Sequence, residues 1–201
     1  MAQRFDTLNE RLTRFIREQK IFFVSTAPAD GRVNLSPKGM DSLRVLDDSS
    51  VAWLNVTGSG NETAAHVQEN GRMTLMFCAF EGNPLILRLY GTATVYHQHD
   101  AEWAQWYSKF DPIPGARQVF VLNIEIVQTS CGMAVPLFDY QGERELLRDW
   151  AVKKGEAGIR AYWAEKNQLT LDGKATGVFS LKCKASDVLQ HGTGYCYFEK
   201  D

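Results

Sequence analysis

Apolar positions repeat at two different periods along this chain, and each change of period marks an element boundary. Near the start, Phe5, Leu8, Leu12, Phe15 and Ile16 fall at helical spacing, with Arg4, Arg11, Arg14 and Arg17 on the other faces, which predicts an amphipathic helix. The run from Ile21 to Pro28 is β-prone, and Ala29-Asp30-Gly31 carries an Asp-Gly turn signal, so a hairpin returns through Arg32 to Lys38. Further strands are expected at Ser42–Leu46, Val51–Val56, Met73–Ala79, Leu85–Tyr96 and Gln118–Gln128, punctuated by Asp47-Asp48-Ser49-Ser50 and Glu81-Gly82-Asn83-Pro84. Two helices interrupt them: Glu62–Asn70, stopped by Gly71, and Asp100–Phe110, ending before Asp111-Pro112. Hairpin-length connections favour an antiparallel barrel or sandwich over parallel winding. Beyond Tyr140 the period turns helical, with a break near Gly155 and a tail of weak strand signals. The pattern divides the chain into a β-barrel core over residues 1–139 and a C-terminal helical extension over 140–201.

Composition narrows the class of protein. With 44% hydrophobic and 11% aromatic residues, the 201-residue chain has ample material for a core. Its 22 basic and 24 acidic residues argue against a protein that coats nucleic acid. No apolar run reaches the roughly 20 residues of a membrane span. The charged N-terminus lacks an apolar secretion segment, so a cytoplasmic location is expected. Cys78, Cys131, Cys183 and Cys196 form no CxxC pair, which excludes zinc-ribbon and thioredoxin-type spacing.

Four segments carry candidate chemistry. Alternation puts Asn34, Ser36 and Lys38 on one strand face, leaving the lysine at a loop mouth after Pro37, either as an anion site or as a solvated face. Thr57-Gly58-Ser59-Gly60-Asn61-Glu62-Thr63 follows a strand and opens a helix, where free N–H groups can receive a phosphate. Ser59 and Glu62 also match a capping box. Arg88 lies in LILRLYG, apolar on both faces, so it is expected to be buried against a carboxylate or the edge of a bound ring. Gln128 continues the core face of Phe120, Leu122, Ile124 and Ile126, and Ser130 and Cys131 follow it. His97 and His99 share a face without a third metal ligand at recognisable spacing, so no metal is expected.

Taken in order, FFVSTAPADGRVNLSPKG, TGSGNETAAHVQENGRMTLMF, LRLYG and VQTSCGMAVP resemble the FMN-binding split barrels related to pyridoxamine 5'-phosphate oxidase, from about Phe22 to Tyr140. The resemblance implies a mainly β fold with helices: a six-stranded antiparallel Greek-key split barrel that homodimerises with FMN at the subunit interface. It implies an oxidoreductase acting on a small-molecule redox substrate, with no nucleic acid or membrane partner. Related barrels that only bind flavin, or that take haem or deazaflavin F420, leave the native ligand and turnover open. The cofactor-binding positions implied are Asn34, Ser36, Lys38, Thr57, Asn61, Thr63, Arg88, Gln128, Ser130 and Cys131, and no catalytic residue is assigned. Where the oxidase has a Ser-Arg-Lys cluster this chain has Asn61-Glu62-Thr63, leaving Lys38, backbone amides and Arg72 to balance a phosphate. No counterpart of the oxidase's Trp- and Arg-rich substrate segment follows Tyr140, so oxidation of pyridoxamine phosphate is not expected.

Overall fold

A computed structural model describes residues 2–180. Its strands are β1 (Gln3–Phe5), β2 (Phe22–Thr26), β3 (Asn34–Lys38), β4 (Leu43–Val45), β5 (Ser50–Val56), β6 (Arg72–Cys78), β7 (Ile86–His97) and β8 (Ala116–Ser130). The helices are α1 (Glu10–Glu18), α2 (Glu62–Asn70), α3 (Trp103–Tyr107) and α4 (Leu146–Lys166). All strand pairs are antiparallel, in the order β3-β2-β6-β7-β8-β5-β4, with β1 added beside β8. This eight-stranded half-barrel exceeds the six strands expected, and its two shortest strands, β1 and β4, are three residues each.

One face of the sheet makes the core. Val24, Leu75, Leu87, Leu89 and Val127 are fully buried on it, and Phe22–Phe77 and Trp53–Phe120 stack at 5.9 and 4.9 Å. Leu12 and Ile16 of α1 close this cluster. The helix starts later than its apolar spacing suggested, because Asn9 Oδ1 accepts the Leu12 N–H at 3.0 Å and caps it. Phe5 instead pairs with Val127 as part of β1. A second cluster sets Ala52, Leu54, Val119 and Val121 against Phe110 and Ile113. Only Trp103–Tyr107 of the expected Asp100–Phe110 helix is α-helical.

Two irregularities in β8 re-aim its side chains. Tyr90 pairs with Ile126 but Gly91 with Ile124, so Glu125 is extra. The alternation of Phe120, Leu122 and Ile124 therefore breaks: Ile126 faces out, Val127 turns in, and Gln128 leaves the core face that simple alternation gave it. A Cβ on Gly91 would stand 1.9 Å from the Asn123 carbonyl oxygen, so only glycine allows this approach. At the other end, Asn55 pairs with Gln118 and Val56 with Ala116, leaving Arg117 as the bulged residue.

After β8 the chain crosses to α4, which is broken at Gly155 (φ 66°) as its sequence indicated. Ala151, Ile159, Trp163 and Val178 form their own cluster there. Of the tail, Leu169 bridges Ala175, while Cys183, His191 and Cys196 lie outside the described residues. Gly91→Ala is expected to cost about 3 kcal/mol or more, because rigid backbone must shift to admit the methyl group, and urea denaturation against wild type measures it.

Candidate functional site

The inward face of β3 carries Asn34, Ser36 and Lys38, all half-buried, while Val33, Leu35 and Pro37 face solvent. Asn34 Nδ2 donates to Thr63 Oγ1 at 3.1 Å, joining β3 to the first turn of α2. Lys38 Nζ lies 5.2 Å from the centroid of the Trp53 ring, and no carboxylate pairs with it among the described residues. Burial, then the charge of Arg117, brings its pKa down to about 8.

Arg117 is 3% exposed, and sequence reasoning did not single it out. Its Nε donates to Gln118 Oε1 at 3.0 Å, Nη1 to Asn167 Oδ1, and Nη2 to the Gly60 carbonyl at 3.0 Å. Burial pushes its pKa down to about 9, so it is still protonated at neutral pH. Two cations thus share one neighbourhood with no described acid neutralising either. An anion such as a phosphate suits them, and Arg117 reaches the loop that opens α2 through the Gly60 carbonyl. An arginine that opens an apolar strand reads as a solvent-facing end, which is why GARQVFVL gave no warning.

Other expected residues have different surroundings. Thr57 Oγ1 donates to the Gly115 carbonyl at 2.7 Å and accepts from Trp163 Nε1 at 2.8 Å. Asn61 Oδ1 accepts from Gln118 Nε2 at 3.1 Å, so both side chains tie the loop to the protein. Asn61, not Ser59, is the N-cap of α2, and it makes no side-chain cap bond. Glu62 accepts the Leu171 N–H at 3.2 Å, so the expected capping box does not form. Arg72 Nη2 donates to the Pro28 carbonyl at the far end of β6.

Arg88, Gln128 and Ser130 lie on the opposite face of the sheet. Directly paired residues of an antiparallel sheet share a face, which sets Pro37, Phe23, Met76, Arg88 and Gln128 in one outward row. Arg88 is half-buried rather than enclosed, and its Nη1 donates to Ser130 Oγ at 3.3 Å. Tyr90 donates its hydroxyl proton to Gln128 Oε1 at 3.1 Å. Cys131 is exposed just beyond, and the Met133 N–H lowers its thiol pKa. One chain therefore cannot bring this outward group and the Lys38–Thr63 group onto one ligand.

His66 and His97 are enclosed, whereas His99 is exposed. His66 Nδ1 hydrogen-bonds Thr26 Oγ1 at 3.0 Å. His97 is buried and stacked on His99 at 5.2 Å, and burial brings its pKa down to about 4. Among the described residues no three His, Cys, Asp or Glu side chains are grouped to hold a metal. Two recesses beside the end of α1, one of about 300 Å³ against residues 39–45 and one of about 340 Å³ against Met40, Asp41 and residues 140–148, contain none of the expected cofactor positions.

An antiparallel split barrel defines the class, and comparison with known proteins specifies the family. Residues 8–131 match the family model of pyridoxamine 5'-phosphate oxidase. The Aspergillus flavus pyridoxamine 5'-phosphate oxidase family protein ustO is 36% identical over 189 residues, covering 84% of this chain and 75% of its own. The chain belongs to the pyridoxamine 5'-phosphate oxidase family. Among solved structures, a Lactobacillus delbrueckii protein is 25% identical, over 61% of this chain and 94% of its own, with a TM-score of 0.48. HupZ from Group A Streptococcus is 24% identical, over 59% and 91%, with a TM-score of 0.47.

Lys38 sets a pH dependence of stability. Its folded pKa of about 8 lies below the ordinary lysine value of 10.5, so across that window the unfolded chain binds more protons and stability rises with pH. Below the window its charge is a full penalty on folding. Wild type is therefore expected to gain stability relative to Lys38→Met between those two pH values, and paired denaturant titrations measure the gain.

Proposed function

We propose that this protein is an FMN-binding flavoprotein and an oxidoreductase acting on a small-molecule substrate. In this reading it is a homodimer with each flavin between the subunits. The observation that carries it is the pair of cations, Lys38 and Arg117, that no described carboxylate neutralises beside the start of α2. Lys38, Asn34 and Thr63 would hold the phosphate. Arg88, Gln128 and Ser130 offer donors and acceptors to a heterocycle from the opposite face, and a second copy could present them to the same flavin. Family membership supports the same reading.

The outward face supports a dimer. Val33, Leu35 and Ile126 are 69, 63 and 42% exposed on or beside it, among Phe23, Met76 and Tyr90. Apolar surface gathered on one sheet face suits a second subunit. Bound FMN would supply electron or hydride transfer at its ring. The chain's own groups bind the phosphate, orient the ring and shield one side from water. A cytoplasmic location belongs to the same proposal, and no described helix is long and apolar enough to cross a membrane.

Titration of the purified chain with FMN is expected to give one flavin per subunit and a dimer by light scattering, and a chain that takes up no FMN overturns the reading. Lys38→Ala should weaken FMN binding by about 1.5–3 kcal/mol through loss of a charge-assisted phosphate bond. Leu35→Asp should yield monomers that lose the flavin, and monomers that retain FMN would refute its place between subunits.

A further inference from the structure

The Thr57–Asn61 loop turns consecutive peptide carbonyls toward the rest of the protein. Those of Gly58 and Ser59 accept from Asn167 Nδ2 at 3.1 and 3.4 Å, and that of Gly60 accepts from Arg117 Nη2 at 3.0 Å. No peptide bond among the described residues is cis. In a trans peptide the N–H points opposite to the C=O, so the N–H groups of Ser59, Gly60 and Asn61 face away from Asn167 and Arg117. The loop thus has a bound side of carbonyls and a free side of amides. The segment after α4 also takes up Glu62, whose carboxylate accepts the Leu171 N–H, and so draws a negative charge toward itself.

No carboxylate among the described residues compensates the charge beneath the loop. Among the described residues the hydrogen-bond acceptors of Arg117 are neutral: the Gln118 side-chain oxygen, the Asn167 side-chain oxygen and the Gly60 carbonyl. An aspartate at position 167 would have nearly the same shape as asparagine and would neutralise the buried guanidinium. It would also surrender the two donor bonds to Gly58 and Ser59. Asparagine keeps both the donors and the net positive charge, and each favours an anion on the amide side of the loop.

We propose that Asn167 and Arg117 are positioning residues that make the loop select a phosphorylated flavin over its unphosphorylated form. Asn167 orients the amides and leaves the charge unneutralised, and Arg117 supplies that charge. This rests on the flavin reading above, and places part of the phosphate selectivity in the C-terminal extension.

The test titrates FMN and riboflavin separately into the full chain and into Asn167→Asp, following flavin fluorescence and the melting temperature of the flavin-free protein. Wild type is expected to prefer FMN. Asn167→Asp should lose roughly tenfold or more in FMN affinity, keep riboflavin affinity within about twofold, and melt no lower, since the new carboxylate pairs with Arg117. Equal weakening toward both flavins would mean a merely structural role and overturn the proposal, as would unchanged FMN affinity. Should Asn167→Asp fail to fold, Asn167→Ala reads the same ratio, with a smaller loss expected because the charge remains. A wild type that binds both flavins equally sinks the selectivity but spares the flavin reading, whereas one that binds neither sinks both.

Discussion

Arg117 is held at a bulge of β8 with almost no contact with solvent, where an ionised group costs several kcal/mol unless the protein replaces its water. Here the replacement is made by neutral oxygens drawn from three parts of the chain: the neighbouring Gln118, the loop before α2, and the end of α4. Much of the surrounding architecture is arranged to meet that requirement. Gln118 is fully buried and donates from its amide nitrogen to Asn61, Trp163 steadies Thr57, and Asn167 spans from the guanidinium to the loop. The C-terminal helix is thereby joined to the barrel chiefly through polar groups, while its apolar residues pack with one another.

The sheet itself is two-sided in an unusual division of labour. Its inward face buries the core and, at one end, the cationic pair. Its outward face mixes Phe23, Met76, Tyr90 and Ile126 with Arg88 and Gln128, a surface neither fully polar nor fully apolar. The bulge opposite Gly91 creates this division on β8, since without it Gln128 would point into the core where no polar partner awaits it.

Most of the strand frame was legible in the chain because it is punctuated locally: Asp30-Gly31, Gly71, Asn83-Pro84 and Gly155 each interrupt a clear period. The inward set of Asn34, Ser36 and Lys38 followed from alternation alone, because β3 is short and regular. Phe5 was misread because it fits a helical frame, and its partner Val127 lies far along the chain. Gln128 was misread because a bulge shifts the two-residue period without leaving a mark in one strand's own sequence. Asn167 gave no signal at all, since its bonds to the loop span 109 and 108 residues and nothing local in a helix end foretells them.

Those long spans bear on the order in which the molecule assembles. The hairpins joining β2 to β3 and β6 to β7 close over short stretches of chain and can form early. The loop before α2 is different: its carbonyls stay unanchored until strand β8 has docked and the end of α4 has then swung across to meet it. Closure over so many residues carries a larger entropic cost than any of the hairpins. The barrel can therefore be largely formed while this loop still samples many shapes.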